Sequence, residues 1–277
     1  MLQSTKKIYF CIDFEDWYHI PYLAKYGFSK NDYTSYSDKI SDFVDWLDEN
    51  GIIANFFVVG DLAKDNAEFL KRCKEKGHQI GCHSYSHLPI NKMTNEEFTE
   101  DTLKAKRAIE EAIGNKVVGY RAPFFSLTDE KLALLEKLGF EYDSSYIQSN
   151  ANEHYSHMEL DGFSKVDSLI YKKNDFVEYE IPTLNNKPIA GGGFFRLYPF
   201  FLFKHFLRKY MKKEFNFIFF IHPFEIAGNI PFFGLKKMSL KDKIRFQLGR
   251  KKARRKIEKT IHFFVKNDYV FSKMNTK

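Results

Sequence analysis

The sequence predicts an α/β fold built on a parallel sheet, and three observations support this prediction. Apolar runs typical of strands buried on both faces alternate with segments of helical spacing. A glycine ends each of four helical segments before the next apolar run: Gly51, Gly77, Gly114 and Gly139. The chain has 277 residues, of which 44% are apolar, enough to form the core of such a domain. Repetition of helix, glycine and strand is typical of β/α units.

The predicted elements of the first half follow a regular order. Residues 8–12 form the first buried strand, and the aromatic residues of 18–37 show no period and predict a long loop. Helical spacing and capping residues predict four helices, over 38–50, 61–76, 94–113 and 128–139. An apolar run follows each helix and predicts a strand, over 52–59, 78–83, 117–120 and 140–143.

The second half of the chain is less regular. A polar loop over 146–168 precedes further predicted elements: short strands over 169–171 and 176–181, a helix over 201–211 and a strongly apolar strand over 215–221. These are too few strands for a regular eight-stranded barrel, so we expect an irregular or shortened (β/α) barrel. Since no linker rich in Pro, Gly or Ser interrupts the chain, residues 1–277 are predicted to form a single domain.

Positive charge is concentrated in one part of a basic, helical C-terminal segment (236–277). Residues 236–259 contain twelve Lys or Arg and two acidic residues, an excess of ten, whereas the whole chain carries +7. We interpret this segment as a solvated helical face. Attraction to an anionic glycan or to the inner membrane surface is the alternative, and nucleic-acid binding is disfavoured.

Several sequence features predict a cytoplasmic protein that is at most peripheral to the inner membrane. The N-terminal apolar run meets Asp13 and is too short for a signal peptide. The sequence contains no run of about 18 apolar residues. The three cysteines are odd in number and are expected to be reduced thiols.

Polar side chains occur where four of the predicted strands end. These residues are Asp13, Glu15, Asp16, His83, His87, Arg121 and His222. Because the C-terminal ends of parallel strands meet at one edge of a sheet, we expect these groups to converge. One helical turn would bring His83 and His87 to one side, and two imidazoles suit a divalent ion such as zinc. Ser84 stands where a zinc protease has its glutamate, which excludes that reading.

Six segments in order carry a resemblance to a known family. They are Asp13 to Trp17, His83 to His87, Gly119 to Phe124, Tyr142 to Ser145, Gly191 to Pro199 and Ile221 to Glu225. In these segments the chain resembles the polysaccharide deacetylases of carbohydrate esterase family four, the chitooligosaccharide-deacetylase-like group. It is most similar to the branch associated with bacterial exopolysaccharide and surface-glycan loci. The resemblance extends from Ile8 to about Ile226.

The resemblance implies a role for each polar position. Asp13 matches the catalytic base, Arg121 the arginine that holds it, and His222 the acid that protonates the departing amine. His83 and His87 match ligands of a divalent metal, expected to be zinc. Glu15 or Asp16 would complete that metal site, because Phe14 separates the acidic residues that are adjacent in the usual pattern.

The resemblance also implies substrate contacts and a partner for His222. The residues expected to bind substrate are Trp17, Tyr120, Pro123, Phe124 and Arg196. The family's usual aspartate- and tryptophan-containing fourth motif is absent from the sequence, so Asp143 and Arg196 are the candidates for orienting His222.

The expected activity is metal-dependent removal of N-acetyl groups, or O-acetyl groups, from a bacterial glycan or a lipid-linked oligosaccharide precursor. Two alternatives stay open. An allantoinase-like amide hydrolase of small molecules would require a compact pocket, whereas a glycan would require a groove lined by the aromatic residues of 18–36. A non-catalytic glycan-binding relative is disfavoured because Asp13 and His222 are both present.

Overall fold

The computed structural model describes residues 5–28, 30–32, 34–149 and 155–274, without the side chain of Asn31. Its strands are β1 (Lys7–Phe14), β2 (Ala54–Val58), β3 (Gln79–Cys82), β4 (Gly119–Tyr120), β5 (Tyr142–Asp143), β6 (Ser164–Asp167), β7 (Ile170–Lys173), β8 (Phe176–Tyr179), β9 (Thr183–Leu184), β10 (Lys187–Pro188), β11 (Phe217–Ile221) and β12 (Val270–Phe271). Its α-helices are α1 (Pro21–Ala24), α2 (Ser41–Glu49), α3 (Gly60–Ala63), α4 (Ala67–Glu75), α5 (Asn95–Ile113), α6 (Asp129–Lys137), α7 (Gly192–Leu197), α8 (Phe200–Met211), α9 (Pro223–Ile226), α10 (Leu240–Gln247) and α11 (Ala253–Val265). Tyr33 of the predicted aromatic loop and both ends of the predicted domain lie outside the described residues.

One large sheet contains strands from both halves of the chain. Its order is β11-β1-β2-β3-β4-β5-β8-β7-β6, and β12 also pairs with β1. Neighbours from β11 to β8 are parallel, whereas β8-β7-β6 is antiparallel. Ile12 pairs with Ile221, and Val58 pairs with both Phe14 and Cys82. β11, β1, β2 and β3 therefore end at the same edge.

The two ends of this sheet meet through side chains. Asn216, which precedes β11, donates from Nδ2 to Asp167 Oδ2 at 2.7 Å, and its N–H donates to Ser168 Oγ at 3.0 Å. Across the interior, the rings of Tyr9 and Tyr179 contact edge to face at 5.1 Å between centroids. The sheet therefore curls into a barrel, and the predicted irregular or shortened α/β barrel is confirmed.

Local sequence signals predict the helices well. Thr94 and Glu97 form the expected capping box at the start of α5, and Gly114 ends that helix with φ of 63°. The helix predicted over 61–76 is instead two helices, α3 and α4, separated at residues 64–66. No helix within the described ranges has both the length and the apolar character needed to cross a membrane.

A second, smaller apolar cluster lies beside the main core. Trp17 and Leu23, from the segment after β1, pack with Phe224, Phe232 and Phe246. These residues come from the segments that follow β1 and β11, two strands that end at the same edge. This cluster thus joins the loop after β1 to the C-terminal segment, next to the strand ends that carry the predicted polar groups.

Candidate active site

The ends of β1, β3 and β11 surround a cavity of about 890 Å³. Five of the predicted polar residues line it: Asp13, Glu15, His83, His87 and His222. All of them except His222 are buried. The cavity volume lies in the range typical of small-molecule sites in proteins.

The His83–His87 segment forms an irregular turn, which corrects the helical turn expected from sequence. Ser84 and His87 have positive φ, 61° and 54°, and the His87 N–H donates to Ser84 Oγ at 3.0 Å. The backbone N–H groups of Tyr85 and Ser86 donate to the Asp101 carboxylate of α5 at 2.7 and 3.0 Å. The turn still brings the His83 and His87 rings together, with centroids 5.1 Å apart.

Glu15 joins these two histidines in a buried cluster. Its Oε2 lies 2.5 Å from His87 Nε2, and one donor atom each from Glu15, His83 and His87 lies within 4.8 Å of the others. His83 Nδ1 is 2.7 Å from the carbonyl of Arg121. This contact places the proton of a neutral His83 on Nδ1 and leaves the lone pair on Nε2. Two imidazoles and a carboxylate in this arrangement fit a divalent metal such as zinc.

Asp16 lies outside this cluster, which corrects its assignment as a second candidate ligand. Its carboxylate accepts hydrogen bonds from the N–H groups of Trp17 (2.7 Å), Tyr36 (3.0 Å) and Ser37 (3.2 Å), and from the Ser35 hydroxyl. These contacts hold the loop after β1 in place. Glu15 and Asp16 are adjacent, and only Glu15 faces the two histidines.

Asp13 is held by a buried arginine. Arg121 Nη1 donates to Asp13 Oδ1 at 2.7 Å, and the guanidinium also donates to Ser144 O and Ser144 Oγ. Its Cζ atom lies over the Phe57 ring, 4.2 Å from the ring centroid. Burial alone would lower the pKa of Arg121, but the Asp13 charge outweighs burial and raises it, so the ion pair persists.

His222 is oriented by Glu225, a residue absent from the sequence-based expectations. Glu225 Oε2 lies 3.1 Å from His222 Nδ1 and accepts the His222 backbone N–H at 3.0 Å. Burial lowers the pKa of His222, but Glu15 and Glu225 outweigh it and raise the pKa to about 9. The signal for Glu225 was available, because a Glu three residues after the N-cap of a short helix, here His222, is a capping-box position.

Arg196 contacts Glu225 instead of His222. Its Nε lies 3.0 Å from Glu225 Oε1, and Arg196 also lines the cavity. Burial raises the pKa of Glu225, but the contacts with His222 and Arg196 lower it overall, so this carboxylate stays charged. The expectation that Arg196 orients His222 directly is therefore corrected to an indirect one, through Glu225.

Asp143 was the other candidate for orienting His222. It belongs instead to a second cluster of carboxyl groups, with Glu178. It accepts the Ser145 N–H at 2.8 Å and the Ser145 hydroxyl at 2.9 Å, and that hydroxyl accepts the Ala122 N–H. Glu178 accepts the N–H groups of Ser145 and Tyr146 at 3.0 and 2.9 Å. Burial raises the pKa of Asp143 to about 6, and burial together with the Asp143 charge raises that of Glu178 well above its ordinary value.

The expected substrate-binding residues divide into two groups. Phe124 and Arg196 line the cavity, and the Phe124 ring lies 4.8 Å from that of His87. Trp17 and Tyr120 are 1% and 0% exposed, within apolar clusters, so the expectation that they contact a glycan is wrong for this structure. Pro123 is buried as well, whereas its neighbours Ala122 and Phe124 line the cavity.

Comparison with known proteins agrees with this fold. Residues 14–142 match the family model described as polysaccharide deacetylase. This part of the chain is therefore similar to polysaccharide deacetylases. The resemblance identified from the sequence motifs is thereby confirmed. Residues 144–276 match a second model, described as a domain of unknown function (DUF3473).

Curated relatives match part of the chain. A peptidoglycan deacetylase of Helicobacter pylori is 30% identical over 44% of this chain and 41% of its own length. Chitin deacetylase 1 of Cryptococcus neoformans is 31% identical over 38% of this chain and 23% of its own length. A chitooligosaccharide deacetylase of Azorhizobium caulinodans is 29% identical over 34% and 45%, respectively. The chain thus spans less than half the length of these relatives.

Solved structures share the fold. A putative polysaccharide deacetylase from Mycobacterium smegmatis has a TM-score of 0.59 at 16% identity, covering 100% of this chain and 96% of that one. A mutant of a CE4 family pseudoenzyme, described as having restored enzymatic activity, has a TM-score of 0.50 at 16% identity, covering 96% of this chain and 65% of that one. The wild-type form of that pseudoenzyme comes from Bacillus anthracis.

Proposed function

We propose that this protein is a metal-dependent carbohydrate deacetylase that hydrolyses the N-acetyl groups of a bacterial glycan, with O-acetyl groups as related substrates. The observation that carries the proposal is the juxtaposition of three kinds of group on one cavity. These are a cluster of metal-ligand type, a carboxylate held by an arginine, and a histidine held by a carboxylate. Amide hydrolysis requires an activated water and a protonated leaving group, and these groups can provide both.

Glu15, His83 and His87 would hold the metal. Their donor atoms are close together and buried, and the contact of His83 Nδ1 with a backbone carbonyl fixes the orientation expected of a metal-binding histidine. A bound divalent metal, with zinc as our proposal, would lower the pKa of water and polarise the acetyl carbonyl. The remaining steps depend on residues of the chain itself.

Asp13 would act as the base. Arg121 binds Asp13 Oδ1, which fixes the carboxylate on the cavity wall and leaves its second oxygen without that ion pair. A carboxylate in this state can accept a proton from the attacking water.

His222 would act as the acid. Its pKa of about 9 means that the imidazolium form predominates near neutral pH, when Glu15 and Glu225 are ionised. Glu225 engages Nδ1 and leaves the Nε2 proton for a leaving nitrogen. An amine departs poorly unless it is protonated, so this proton is needed for an amide and is less important for an activated ester.

The cavity favours a sugar over a compact amide substrate. Its lining includes the aromatic rings of Phe124, Tyr155, Phe220 and Phe224, and of the described aromatic residues of 18–36 it includes Tyr22. Aromatic faces offer apolar area with little conformational freedom to lose. A volume of about 890 Å³ exceeds what a small allantoinase-like substrate needs, and the three curated relatives described above are named for peptidoglycan, chitin and chitooligosaccharide. A glycan of the exopolysaccharide or surface type is the proposed substrate class.

Acetate release tests this proposal. The purified chain, loaded with zinc or treated with a chelator, is incubated with chitooligosaccharides, peptidoglycan fragments and acetylated exopolysaccharides. We expect metal-dependent acetate release from at least one N-acetylated glycan, and loss of that release in an Asp13→Asn control. Stoichiometric metal binding without acetate release from any of these glycans would contradict the proposal and favour a non-catalytic glycan-binding protein.

A further inference from the structure

Helix α10 (Leu240–Gln247) presents an apolar stripe on the protein surface. Leu240, Ile244 and Leu248, the last at the C-cap of the helix, are four residues apart and are 74%, 55% and 48% exposed. Residues at this spacing lie on the same side of a helix. Three large apolar side chains in line form a patch of the kind that marks a binding surface.

Positive charge flanks this stripe. At 100° per residue, Lys243 lies on one side of the stripe, and Lys241 and Arg245 lie on the other. Lys241 and Arg245 are exposed, as are Lys236 and Lys237 in the turn before the helix. The segment therefore differs from the solvated basic face expected from sequence, because it also exposes an apolar stripe. Long basic side chains beside an apolar stripe are typical of helices that lie in a membrane interface.

Part of the basic segment has a structural role and does not contribute to this surface. Arg250 is buried and donates to Tyr36 Oη and Ile230 O, each at 2.5 Å. Lys256 donates to the carbonyls of Phe195 and Tyr198. Most of the exposed positive charge of residues 236–259 thus lies on α10 and the turns before and after it.

The opposite side of α10 fixes the helix to the protein. Asp242 contacts Lys25 Nζ at 2.6 Å and accepts hydrogen bonds from Tyr26 Oη and Ser239 Oγ. Phe246 packs against Phe224 and Phe232. Because this buried face is engaged, the apolar stripe stays directed outward.

The stripe leads to the mouth of the candidate active site. Leu248 and Arg245 line the same cavity as His222, and so does Leu197, which is 55% exposed. Arg196 connects the two segments, because its Nη1 donates to the carbonyls of Phe246 and Leu248 at 3.2 Å. A surface bound to α10 would therefore lie next to the cavity opening.

We propose that the α10 surface, formed by Leu240, Ile244 and Leu248 with Lys241, Lys243 and Arg245, docks onto an anionic lipid bilayer. This proposal rests on the proposed deacetylase function and specifies its substrate class: an acetylated sugar carried by a membrane lipid. Exposed Lys and Arg are attracted to anionic head groups, and the three apolar side chains would enter the interface. Duplex DNA would use the cations and leave the apolar stripe in water, so a bilayer fits the whole surface better.

Vesicle sedimentation tests the docking surface. The full chain is mixed with vesicles of phosphatidylglycerol and phosphatidylcholine in equal parts, with vesicles of phosphatidylcholine alone, and with duplex DNA. The test variants are Leu240→Ser/Ile244→Ser and Lys241→Glu/Lys243→Glu. Matched controls carry the same kinds of change at exposed positions elsewhere: Val166→Ser/Val270→Ser and Lys137→Glu/Lys172→Glu.

We expect the wild type to sediment with the anionic vesicles, and each test variant to bind them about tenfold more weakly or worse. Both controls should bind like the wild type. The proposal is overturned if the wild type fails to bind the anionic vesicles, or if test and control variants lose binding equally. Tighter binding to DNA that Leu240→Ser/Ile244→Ser leaves unchanged would overturn it in favour of nucleic acid.

Acetate release from a soluble chitooligosaccharide, measured on the same preparations, separates this inference from the proposed function. A chain that releases acetate but does not bind vesicles would refute only the docking surface. A chain that binds vesicles but releases no acetate from any acetylated glycan, soluble or lipid-linked, would refute the deacetylase function. Neither test variant changes a residue that lines the cavity, so both should retain turnover of the soluble substrate.

Discussion

Glu15 and Glu178 are both buried glutamates, yet their surroundings shift their pKa values in opposite directions. Glu15 follows β1 and is 6% exposed, and Glu178 lies in β8 and is 0% exposed. The pKa of Glu15 is lowered below its ordinary value, whereas that of Glu178 is raised well above it. Burial raises the pKa of both groups, so burial alone cannot account for the difference.

The neighbours of each carboxyl group decide the outcome. Burial raises the pKa of Glu15, but the interactions with His87, His222 and His83 outweigh burial and lower it. Asp143 faces Glu178, and a second negative charge adds to the effect of burial. Glu15 therefore favours its charged form and is suited to a cation, whereas Glu178 favours its protonated form and serves as a hydrogen-bonding group in the fold. In this protein the identity of the partner, more than the depth of burial, separates a functional carboxylate from a structural one.

The largest effect is expected when the same substitution is made at both positions and metal affinity is compared. Glu15→Gln removes a charged metal ligand, so we expect metal affinity to fall by about 10² or more, beyond the usual loss for outer-shell changes. Glu178→Gln should retain full metal loading. Elemental analysis after dialysis measures both variants, and one equivalent of metal retained by Glu15→Gln would refute the ligand assignment.

The two proton-transfer residues should differ in their dependence on the leaving group. Asp13→Asn removes the base and should lower kcat by about 10² or more on any acetyl substrate. His222→Ala should cause a similar loss on an N-acetyl sugar and a much smaller one on an activated aryl acetate, whose leaving group needs no proton. Measurement of kcat for both variants on both substrates tests these roles. Equal losses for His222→Ala on amide and ester would exclude the acid assignment.

Glu225→Gln neutralises the carboxylate that orients His222 and so tests the acid assignment separately from loss of the imidazole. We expect kcat on an amide to fall by about tenfold, at the low end for groups that assist proton transfer. Glu225 raises the pKa of His222, so its neutralisation should lower that pKa. The activity loss seen as pH rises should therefore begin at lower pH in the variant. An unchanged pH profile alongside a lower kcat would indicate a purely structural role.

The smallest effect is expected at Glu178, on stability. A carboxyl group with a raised folded pKa stabilises the fold fully below its ordinary pKa of 4.5, and this contribution is lost as pH rises through the folded value. Glu178→Gln resembles the protonated form at every pH. Its stability relative to the wild type should therefore be similar at low pH and should increase as pH rises.

Thermal unfolding across pH measures this effect, with Glu178→Ala as the contrast. The Ala variant loses the acceptor for the Ser145 and Tyr146 N–H groups and should be destabilised by about 2–4 kcal/mol. A Gln variant whose stability relative to wild type falls as pH rises would show that Glu178 is ionised in the folded protein.

Much of the fold could be predicted from the sequence, because its signals are local. Apolar periodicity, the Thr94–Glu97 capping box and the helix-ending Gly114 depend on residues a few positions apart. Parallel strands place their C-terminal ends together, so the convergence of Asp13, His83 and His222 followed from their positions after strands.

Tertiary structure decided which of these groups act together. Strand alternation favours Glu15, which shares the face of Asp13, but leaves Asp16 open as a ligand; the contacts of Asp16 with a loop some twenty residues away separate their roles. The burial of Trp17 and Tyr120 depends on packing partners from distant segments. The pKa shifts of Glu15 and Glu178 likewise depend on side chains from other strands and loops. The sequence by itself determined where the polar groups lie along the chain, and long-range packing determined their partners, because electrostatic effects act through distances in space.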